Sequence, residues 1–371
     1  MRIHTLKMFA FAAFFSTILF PACTPDDLIE VFDYDIPAIY NFEHVSYSGQ
    51  TQRLAMLTEM TTYMKSGVSV DVSLDLDRLT AMYTNDSNLA GWQGSYESSK
   101  QLKNKTFEPV QADFETLLGQ MVEASASTDN YTAGTAGISI SSDGTKTYLF
   151  NERGVEPVQL IEKGLMGACF YYQAATVYLG WEKMNVDNTI VNPGVGTEME
   201  HHWDEAFGYL GAPIDFPTNT DGLFFWAKYA NATNAVTNNN QSIMGPLLTG
   251  RAAISNNDLQ TRDDAIVKVR EVWEQIVAAT AIHYLNIAMV SFDDEAVRLH
   301  ALSEALAFVY SLKFNEEKSQ SNEVIDAYLS QLATTADITA FDLTYSSTAS
   351  ILVVRDQIAA DFGLSDVKEA L

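Results

Sequence analysis

Cysteine is scarce in this chain of 371 residues, which contains only Cys23 and Cys169. Cys23 closes an N-terminal leader, so Cys169 has no partner and the fold must depend on a hydrophobic core instead of disulfides. Cys169 lies in an apolar stretch, residues 165–170, where we expect a buried and unreactive thiol.

Positive charge is also scarce, because 22 lysines and arginines face 48 acidic residues, for a net charge of −26. A chain this acidic is not expected to bind nucleic acid or anionic lipid headgroups through its overall field. The acidic residues are spread along the whole chain, which favours a role in solubility. Attraction of cations or cationic ligands is the alternative.

Several patterns are missing altogether. After the leader no stretch of 18 apolar residues occurs, so no transmembrane helix is predicted. The His-Glu-x-x-His pattern of zinc peptidases is absent, as is the Gly-x-Ser-x-Gly turn that carries the nucleophile of many serine hydrolases. The sequence therefore offers little support for a hydrolase.

The first 22 residues have the pattern of a signal peptide. A basic head with Arg2 and Lys7 precedes the apolar run 8–20, which at about 13 residues is too short to span a bilayer of roughly 30 Å as a helix. Cys23 follows, in an arrangement that resembles the lipobox of bacterial lipoproteins, with Phe20 where that pattern prefers Leu. The resemblance implies cleavage before Cys23 and a lipid on its thiol; a simple secreted protein is the alternative.

We therefore divide the chain into a signal peptide (1–22), a lipid-anchored tether (23–45) and a helical domain (46–371). The tether begins with an acidic stretch similar to the one that marks surface lipoproteins of Bacteroidota. Cleavage leaves 20 basic against 48 acidic residues, a charge of about −28. We expect an outer-membrane lipoprotein, on the periplasmic side or at the cell surface, with an outer-membrane transporter as a candidate partner.

Apolar residues recur at spacings of three and four through most of the domain, which predicts helices. The predicted helices span 51–65, 108–124, 156–180, 198–210, 321–333 and 347–362. Around Ser142-Asp143-Gly144, residues 137–150 predict a short β-hairpin. Residues 211–257 are expected to be mainly irregular, with one helical piece near 223–230. The fold class is thus all-α, a helical bundle or a pair of bundles with a small β-hairpin insertion.

The last third of the chain has the clearest helical pattern. Thr261 with Asp264, and Ser291 with Asp294, resemble capping boxes. They predict helices of about 28 and 21 residues joined by a very short link, which makes an antiparallel helical hairpin.

Two adjacent histidines mark a short helix that carries the main candidate site. Thr197 and Glu200 form a predicted capping box, and Gly211 is a natural stop. At 100° per residue an apolar stripe separates from a polar stripe. The apolar stripe contains Met199, Trp203, Ala206 and Leu210, and the polar stripe contains Glu198, His202, Glu205 and Tyr209, with His201 and Asp204 beside it.

Imidazole and carboxylate groups three or four residues apart can reach one cation from a single helix. The candidate metal ligands on this helix are His202, Glu205, His201 and Glu198. The alternative is a solvated or salt-bridged polar face, since one helix cannot complete the coordination shell of a metal.

The stretch His-Trp-Asp-Glu-Ala-Phe-Gly-Tyr-Leu-Gly, residues 202–211, resembles the signature region of an imelysin-like family of Bacteroidota lipoproteins. Residues 92–107 and 302–308 share the likeness, which covers most of residues 40–371. Imelysins are exported all-helical proteins built as paired four-helix bundles and linked to iron or haem acquisition, so the resemblance implies that fold and that role. His202 and Glu205 match the imelysin Gly-x-His-x-x-Glu pattern, whereas Glu200 replaces its Gly.

A second group of candidates lies on the C-terminal helical hairpin. His283 and His300 are equidistant from the link, so antiparallel helices bring them to the same level. His300 and Glu304 share one stripe with small residues. We expect either a buried, hydrogen-bonded histidine or additional ligands that complete the site begun by His202 and Glu205.

Three functions follow as hypotheses. The first is a lipid-anchored cell-envelope protein that binds iron, haem or another metal-bearing ligand for uptake, with zinc also compatible with these side chains. The second is a metal-dependent, peptidase-like hydrolase, because the first imelysin was described as a peptidase. The third is a surface scaffold or glycan-binding lipoprotein, although the tryptophans fall mostly in helical patterns that predict core positions.

Overall fold

Helices account for most of residues 33–69 and 71–371, which are the residues that the computed structural model describes. The predicted signal peptide, the predicted lipidation site Cys23 and the predicted tether up to residue 32 lie outside the described residues. No helix within the two described ranges is long and apolar enough to cross a membrane.

The described part of the chain is all-α apart from one small hairpin, as predicted. The α-helices are α1 Ser48–Ser66, α2 Leu76–Thr84, α3 Gln111–Ser125, α4 Pro157–Leu165, α5 Trp181–Met184, α6 Glu198–Gly208, α7 Phe225–Thr237, α8 Asn239–Ser255, α9 Leu259–Val290, α10 Glu295–Ser311, α11 Asn322–Ala333 and α12 Thr348–Asp361. Helix α4 continues directly into a π-helical segment, Met166–Tyr178. Strands β1 Gly137–Ile140 and β2 Thr147–Phe150 pair antiparallel, with Gly137 opposite Phe150.

Helix α9 forms the centre of the bundle, since α7, α8, α10 and α12 all pack against it. Its buried residues recur at spacings of three and four near its start, and every residue from Ile276 to Ile282 is buried. A helix that is buried on all sides in this way must be surrounded by other helices.

The two long C-terminal helices begin at aspartates. The Asp258 carboxylate accepts a hydrogen bond from Thr261 N at 3.1 Å and caps α9, and Asp294 accepts one from Val297 N at 3.2 Å and caps α10. The predicted N-caps, Thr261 and Ser291, are therefore wrong. Asp and Ser are equally good N-caps, so the pattern alone does not choose between neighbouring candidates. The antiparallel helical hairpin itself is present, with helices of 32 and 17 residues.

The prediction of a mainly irregular segment over 211–257 is also wrong, because α7 and α8 occupy most of it. Asn238, in the left-handed conformation, joins the two helices. Helix α8 contains Gly250, where an added Cβ would lie 2.1 Å from Trp203 Cη2. The close approach of α8 to the buried Trp203 thus requires a residue of poor helix propensity, and tertiary packing outweighs that propensity.

The folded body begins earlier than the predicted boundary at residue 46. Residues from Tyr34 to Leu371 form one unit. Tyr40 is buried, its ring stacks on Phe207 at 3.7 Å between centroids, and its hydroxyl donates to Asp204 Oδ1 at 2.8 Å. Residues 34–45 are therefore part of the helical domain and not of the tether.

We predict that Gly250→Ala lowers the free energy of unfolding by about 1–3 kcal/mol, because the new methyl group collides with the Trp203 ring. Gly119→Ala in α3 is the matched control. No described atom lies within 4 Å of a Cβ added there, so we expect stabilisation by about 0.5–1 kcal/mol. Urea unfolding followed by circular dichroism measures both, and equal effects at the two positions would contradict the packing argument.

Candidate functional site

Helix α6 is held in one orientation by its cap and by its apolar side. The predicted capping box is confirmed: Thr197 Oγ1 accepts from Glu200 N at 3.2 Å, and Glu200 Oε2 accepts from Thr197 N at 2.9 Å. All residues of the predicted apolar stripe are buried, and the Trp203 indole N–H donates to Leu247 O at 3.0 Å. The helix axis and rotation are therefore fixed against α8.

A buried ion pair strengthens this attachment. Arg251 of α8 donates through Nε to Asp204 Oδ1 at 2.9 Å and through Nη1 to Glu200 Oε1 at 2.7 Å. Burial raises the pKa of Asp204 to about 6, although Arg251 and the Tyr40 hydroxyl act in the opposite direction. Asp204 is thus a structural residue that attaches α6, and it does not belong to the polar stripe that faces the candidate site.

The structure brings together the four predicted ligands of α6. His202 Nδ1 lies 3.3 Å from Glu205 Oε2, and His202 Nε2 lies 3.5 Å from Glu198 Oε1. His201 Nε2 lies 3.8 Å from the same Glu205 oxygen. The stripe is a face of paired His and Glu side chains that is solvated at one end: Glu198 is 56% exposed, whereas His202 is 6% exposed and its Nε2 has no hydrogen-bond partner among the described residues.

Glu205 is the centre of this group. Gln50 of α1 donates to Glu205 Oε1 at 2.9 Å and to Oη of Tyr178, at the end of the π-helical segment, at 3.4 Å. Burial would raise the pKa of Glu205, but the hydrogen bonds from His202, Gln50 and Tyr178 and the nearby His201 lower it to about 2. The carboxylate is therefore ionised at every physiological pH.

Glu205 and His201 line a cavity of about 320 Å³. The cavity is lined by Ser46, Ser48, Gly49, Gln50, Arg53, Lys100, Lys105, Tyr178, Val195, His201 and Glu205. Lys105 Nζ donates to Tyr178 Oη at 3.0 Å, so a basic side chain contacts the phenol to which Gln50 also donates. His202 and Glu198 contact this group from the side without lining the cavity.

The basic residues of the cavity were not predicted from the sequence. One signal existed: Arg53 lies on the same stripe of α1 as Leu57, Met60 and Met64, all of which are buried. A charged residue on a buried stripe indicates a special environment, because burying an unpaired charge is costly. Lys105 and Tyr178 carry no comparable signal, since only the tertiary fold brings them to α6.

Histidine and carboxylate donors suit iron and zinc, and His201 Nε2 and Glu205 Oε2 are close enough to share one cation at bond lengths of about 2.0–2.2 Å. Within residues 33–69 and 71–371, however, no group of three or more His, Cys, Asp or Glu side chains is placed to hold a metal ion. The described side chains thus supply a part of a coordination shell.

The second predicted group is a separate, buried network. His300 Nδ1 lies 2.5 Å from Glu156 Oε2, and His300 Nε2 lies 3.6 Å from Glu304 Oε2. Lys163 Nζ pairs with Glu304 Oε1 at 3.0 Å. Burial lowers the pKa of His300, but the hydrogen bond and charge of Glu156, together with Glu304, outweigh it and raise the pKa above its usual value. This network ties α10 to α4, as expected for a buried, hydrogen-bonded histidine.

The prediction that His300, Glu304 and His283 complete the site of His202 and Glu205 is wrong on geometry. Glu156 precedes α4, while Tyr178, whose ring lies 6.1 Å from that of His202, ends the π-helical segment. The nine residues of α4 span about 14 Å at roughly 1.5 Å per residue, and the 13 residues of the π-helical segment add further length, so the two groups lie far apart along this helix. His283 packs on Tyr284, and burial lowers its pKa.

Cys169 matches its prediction as an inert thiol. It is fully buried, and burial raises its pKa to about 12. Among the tryptophans, Trp203, Trp226 and Trp273 are fully buried as predicted, whereas Trp181 is 78% exposed. Neither the thiol nor the buried indoles contribute to the cavity.

We predict that Glu205→Gln lowers stability at pH 5.5 more than at pH 2. The pKa of Glu205 is below its usual 4.5, so its stabilising effect is present above that pH and is lost as the pH falls towards 2. The difference in unfolding free energy between wild type and variant should shrink by about 3 kcal/mol over this range. Urea titrations at pH 5.5, 4, 3 and 2 measure it, and a pH-independent difference would refute the depressed pKa.

The comparisons with known proteins concern the whole helical body. No curated protein and no solved structure shows a significant match to this chain. The family model described as Domain of unknown function (DUF4856) matches residues 37–365, which include every residue of the cavity. Because that match covers most of the sequence, the chain belongs to the DUF4856 family.

Proposed function

We propose that this protein is a lipid-anchored binding protein of the cell envelope that takes iron, haem or another metal-bearing ligand for uptake. The observation that carries the proposal is the position of His201 and Glu205, two metal-compatible donors, in the wall of one cavity. Glu205 is kept ionised by its neighbours, as a ligand to a cation must be.

The incomplete donor set favours a ligand that carries its metal already bound. Structural metal sites use about four protein ligands, and catalytic sites about three. The described residues offer His201 and Glu205 towards the cavity, and no third His, Cys, Asp or Glu of the described chain lines it. A chelate that brings its own donor atoms needs only one or two from the protein.

The volume of the cavity bears on the kind of ligand. At about 320 Å³ it lies at the lower end of small-molecule sites, which span about 300–1,000 Å³. A compact iron chelate fits this volume better than a complete haem, which would extend beyond the cavity. Among the candidate ligands we therefore favour iron bound in a small chelate over haem and zinc.

The lipid on Cys23 is the second part of the proposal. A chain with a charge of about −28 is not drawn to anionic headgroups, so a covalent anchor would supply the membrane attachment that its surface does not. The leader of residues 1–22 and the Cys that follows it support this anchor. Such an anchor would hold the protein at the membrane, where it could deliver its ligand to an outer-membrane transporter.

A peptidase-like hydrolase receives less support. Metallopeptidases hold their metal with three protein ligands and place a general base next to it. The described residues provide no such group, and the neighbours of Glu205 hold it as an ionised hydrogen-bond acceptor.

We predict that the full chain, purified in detergent, binds ferric citrate or haem in calorimetric titrations. His201→Ala should weaken binding at least about 10-fold, because it removes one of two donors without disturbing the buried helix face. His283→Ala, outside the cavity, is the control and should bind like wild type. Absence of binding by wild type, or equal affinities for wild type and His201→Ala, would reject the proposal.

A second cavity favours glycan binding as the alternative function. It has a volume of about 690 Å³, and its lining includes the aromatic residues Phe107, Tyr172, Tyr310 and Phe314. Asp113 and Lys313 also line it, so aromatic faces and hydrogen-bonding groups occur together, as a sugar ring requires.

A glycan array probed with the full chain distinguishes this alternative. If the larger cavity binds sugars, Tyr172→Ala should abolish the signal, because it removes an aromatic face, while His201→Ala should retain it. No signal with wild type, or a signal unaffected by Tyr172→Ala, would exclude this cavity as a glycan site.

A further inference from the structure

We infer that the cavity beside Glu205 is an oxyanion-binding site in which Arg53 and Lys105, with Lys100 at the edge, hold a carboxylate or phosphate group. The inference deepens the proposed function, since it names the chemical class of the ligand that this cavity takes. It does not require a metal, and the two proposals can fail separately.

Arg53 is a buried cation without a carboxylate partner. It is 4% exposed, and its Nε and Nη1 donate to Gln101 O at 2.8 Å and to Gly49 O at 3.1 Å. None of the described carboxylates forms an ion pair with it. The backbone carbonyls orient the guanidinium but leave its charge uncompensated, which is costly for a buried group.

The other buried basic residues of the described chain show how unusual this is. Each of them pairs with at least one carboxylate: Lys163 with Glu162 and Glu304, Arg251 with Asp204 and Glu200, Arg262 with Asp263, and Arg355 with Glu369. With more than twice as many acidic as basic residues in the sequence, a partner for Arg53 would be easy to supply. Its charge is instead left facing a cavity.

Lys105 adds a second cation to the same wall. Its ammonium group donates to Tyr178 Oη at 3.0 Å and pairs with no carboxylate of the described chain. Burial lowers the pKa of Lys105 and the positive charge of Arg53 lowers it further, and the negative charge of Glu205 offsets these two effects only in part. An anion bound between Arg53 and Lys105 would offset the remainder.

The remaining lining residues suit an oxyanion. Ser46, Ser48 and Gln50 supply neutral polar groups, and Lys100, which pairs with Glu97 at 3.6 Å, closes the rim. Glu205 is the one carboxylate among the described residues that line the wall, and its negative charge is already engaged by Gln50 and the two histidines. Because Arg53 Nε and Nη1 donate to backbone carbonyls, the Nη2 donors of its guanidinium remain for an oxygen of a carboxylate or phosphate.

The choice of probe distinguishes a carboxylate ligand from a phosphate ligand, and it distinguishes both from a bound metal. We expect metal-free citrate, a carboxylate, or inorganic phosphate to bind the full chain in calorimetric titrations at constant ionic strength. Lys105→Gln and Arg53→Gln should each weaken binding at least about 10-fold. Lys103→Gln is the matched control, because Lys103 lies two residues away and pairs with Glu115 outside the cavity.

If neither anion binds wild type, or if Lys105→Gln binds as tightly as wild type, the inference is wrong. Where Arg53→Gln does not fold, Lys105→Gln decides, because Lys105 is only partly buried. Free citrate that binds as tightly as ferric citrate would leave the oxyanion site standing and remove the metal proposal. Iron or haem binding that is insensitive to Lys105→Gln would leave the metal proposal standing and remove the oxyanion site.

Discussion

The candidate site depends on the buried ion pair between Arg251 and Asp204, whose side chains are both fully buried. Arg251 also binds Glu200, and Asp204 also accepts from Tyr40, so four side chains from three parts of the chain meet at one point. Such a pair adds little net stability, but losing one partner leaves an unpaired buried charge that costs about 3–5 kcal/mol. It therefore fixes the rotation of α6, and with it the direction in which His201 and Glu205 point.

The few basic residues of this acidic chain have two different uses. Where a buried cation stabilises the fold, as at Lys163 and Arg251, carboxylates surround it. At Arg53 the positive charge meets only backbone carbonyls and a cavity. The contrast separates structural charge from charge that is available to a ligand, and it does so without any reference to the metal-binding hypothesis.

Much of the fold was predictable because it follows local rules. The capping box of α6, its apolar stripe and the β-hairpin are encoded by residues a few positions apart. Helix α8 was not predicted because its sequence contains Gly250, a residue of poor helix propensity. Gly250 is required there by close packing against Trp203, 47 positions away, and not by its neighbours in the sequence. Of the site, the His202–Glu205 pair was predictable from spacing on one helix. Lys105 and Tyr178 were not, since only the tertiary fold places them beside it.

The basic cavity is set in a chain whose net charge is −26, and this affects the rate of ligand capture. An anion is repelled by the protein at long range and attracted only within roughly 8 Å of the cavity at physiological salt, the Debye screening length. Added salt therefore weakens the long-range repulsion by the whole protein more than it weakens the short-range attraction by the cavity. Association with an anion should therefore accelerate as ionic strength rises, the reverse of ordinary electrostatic steering.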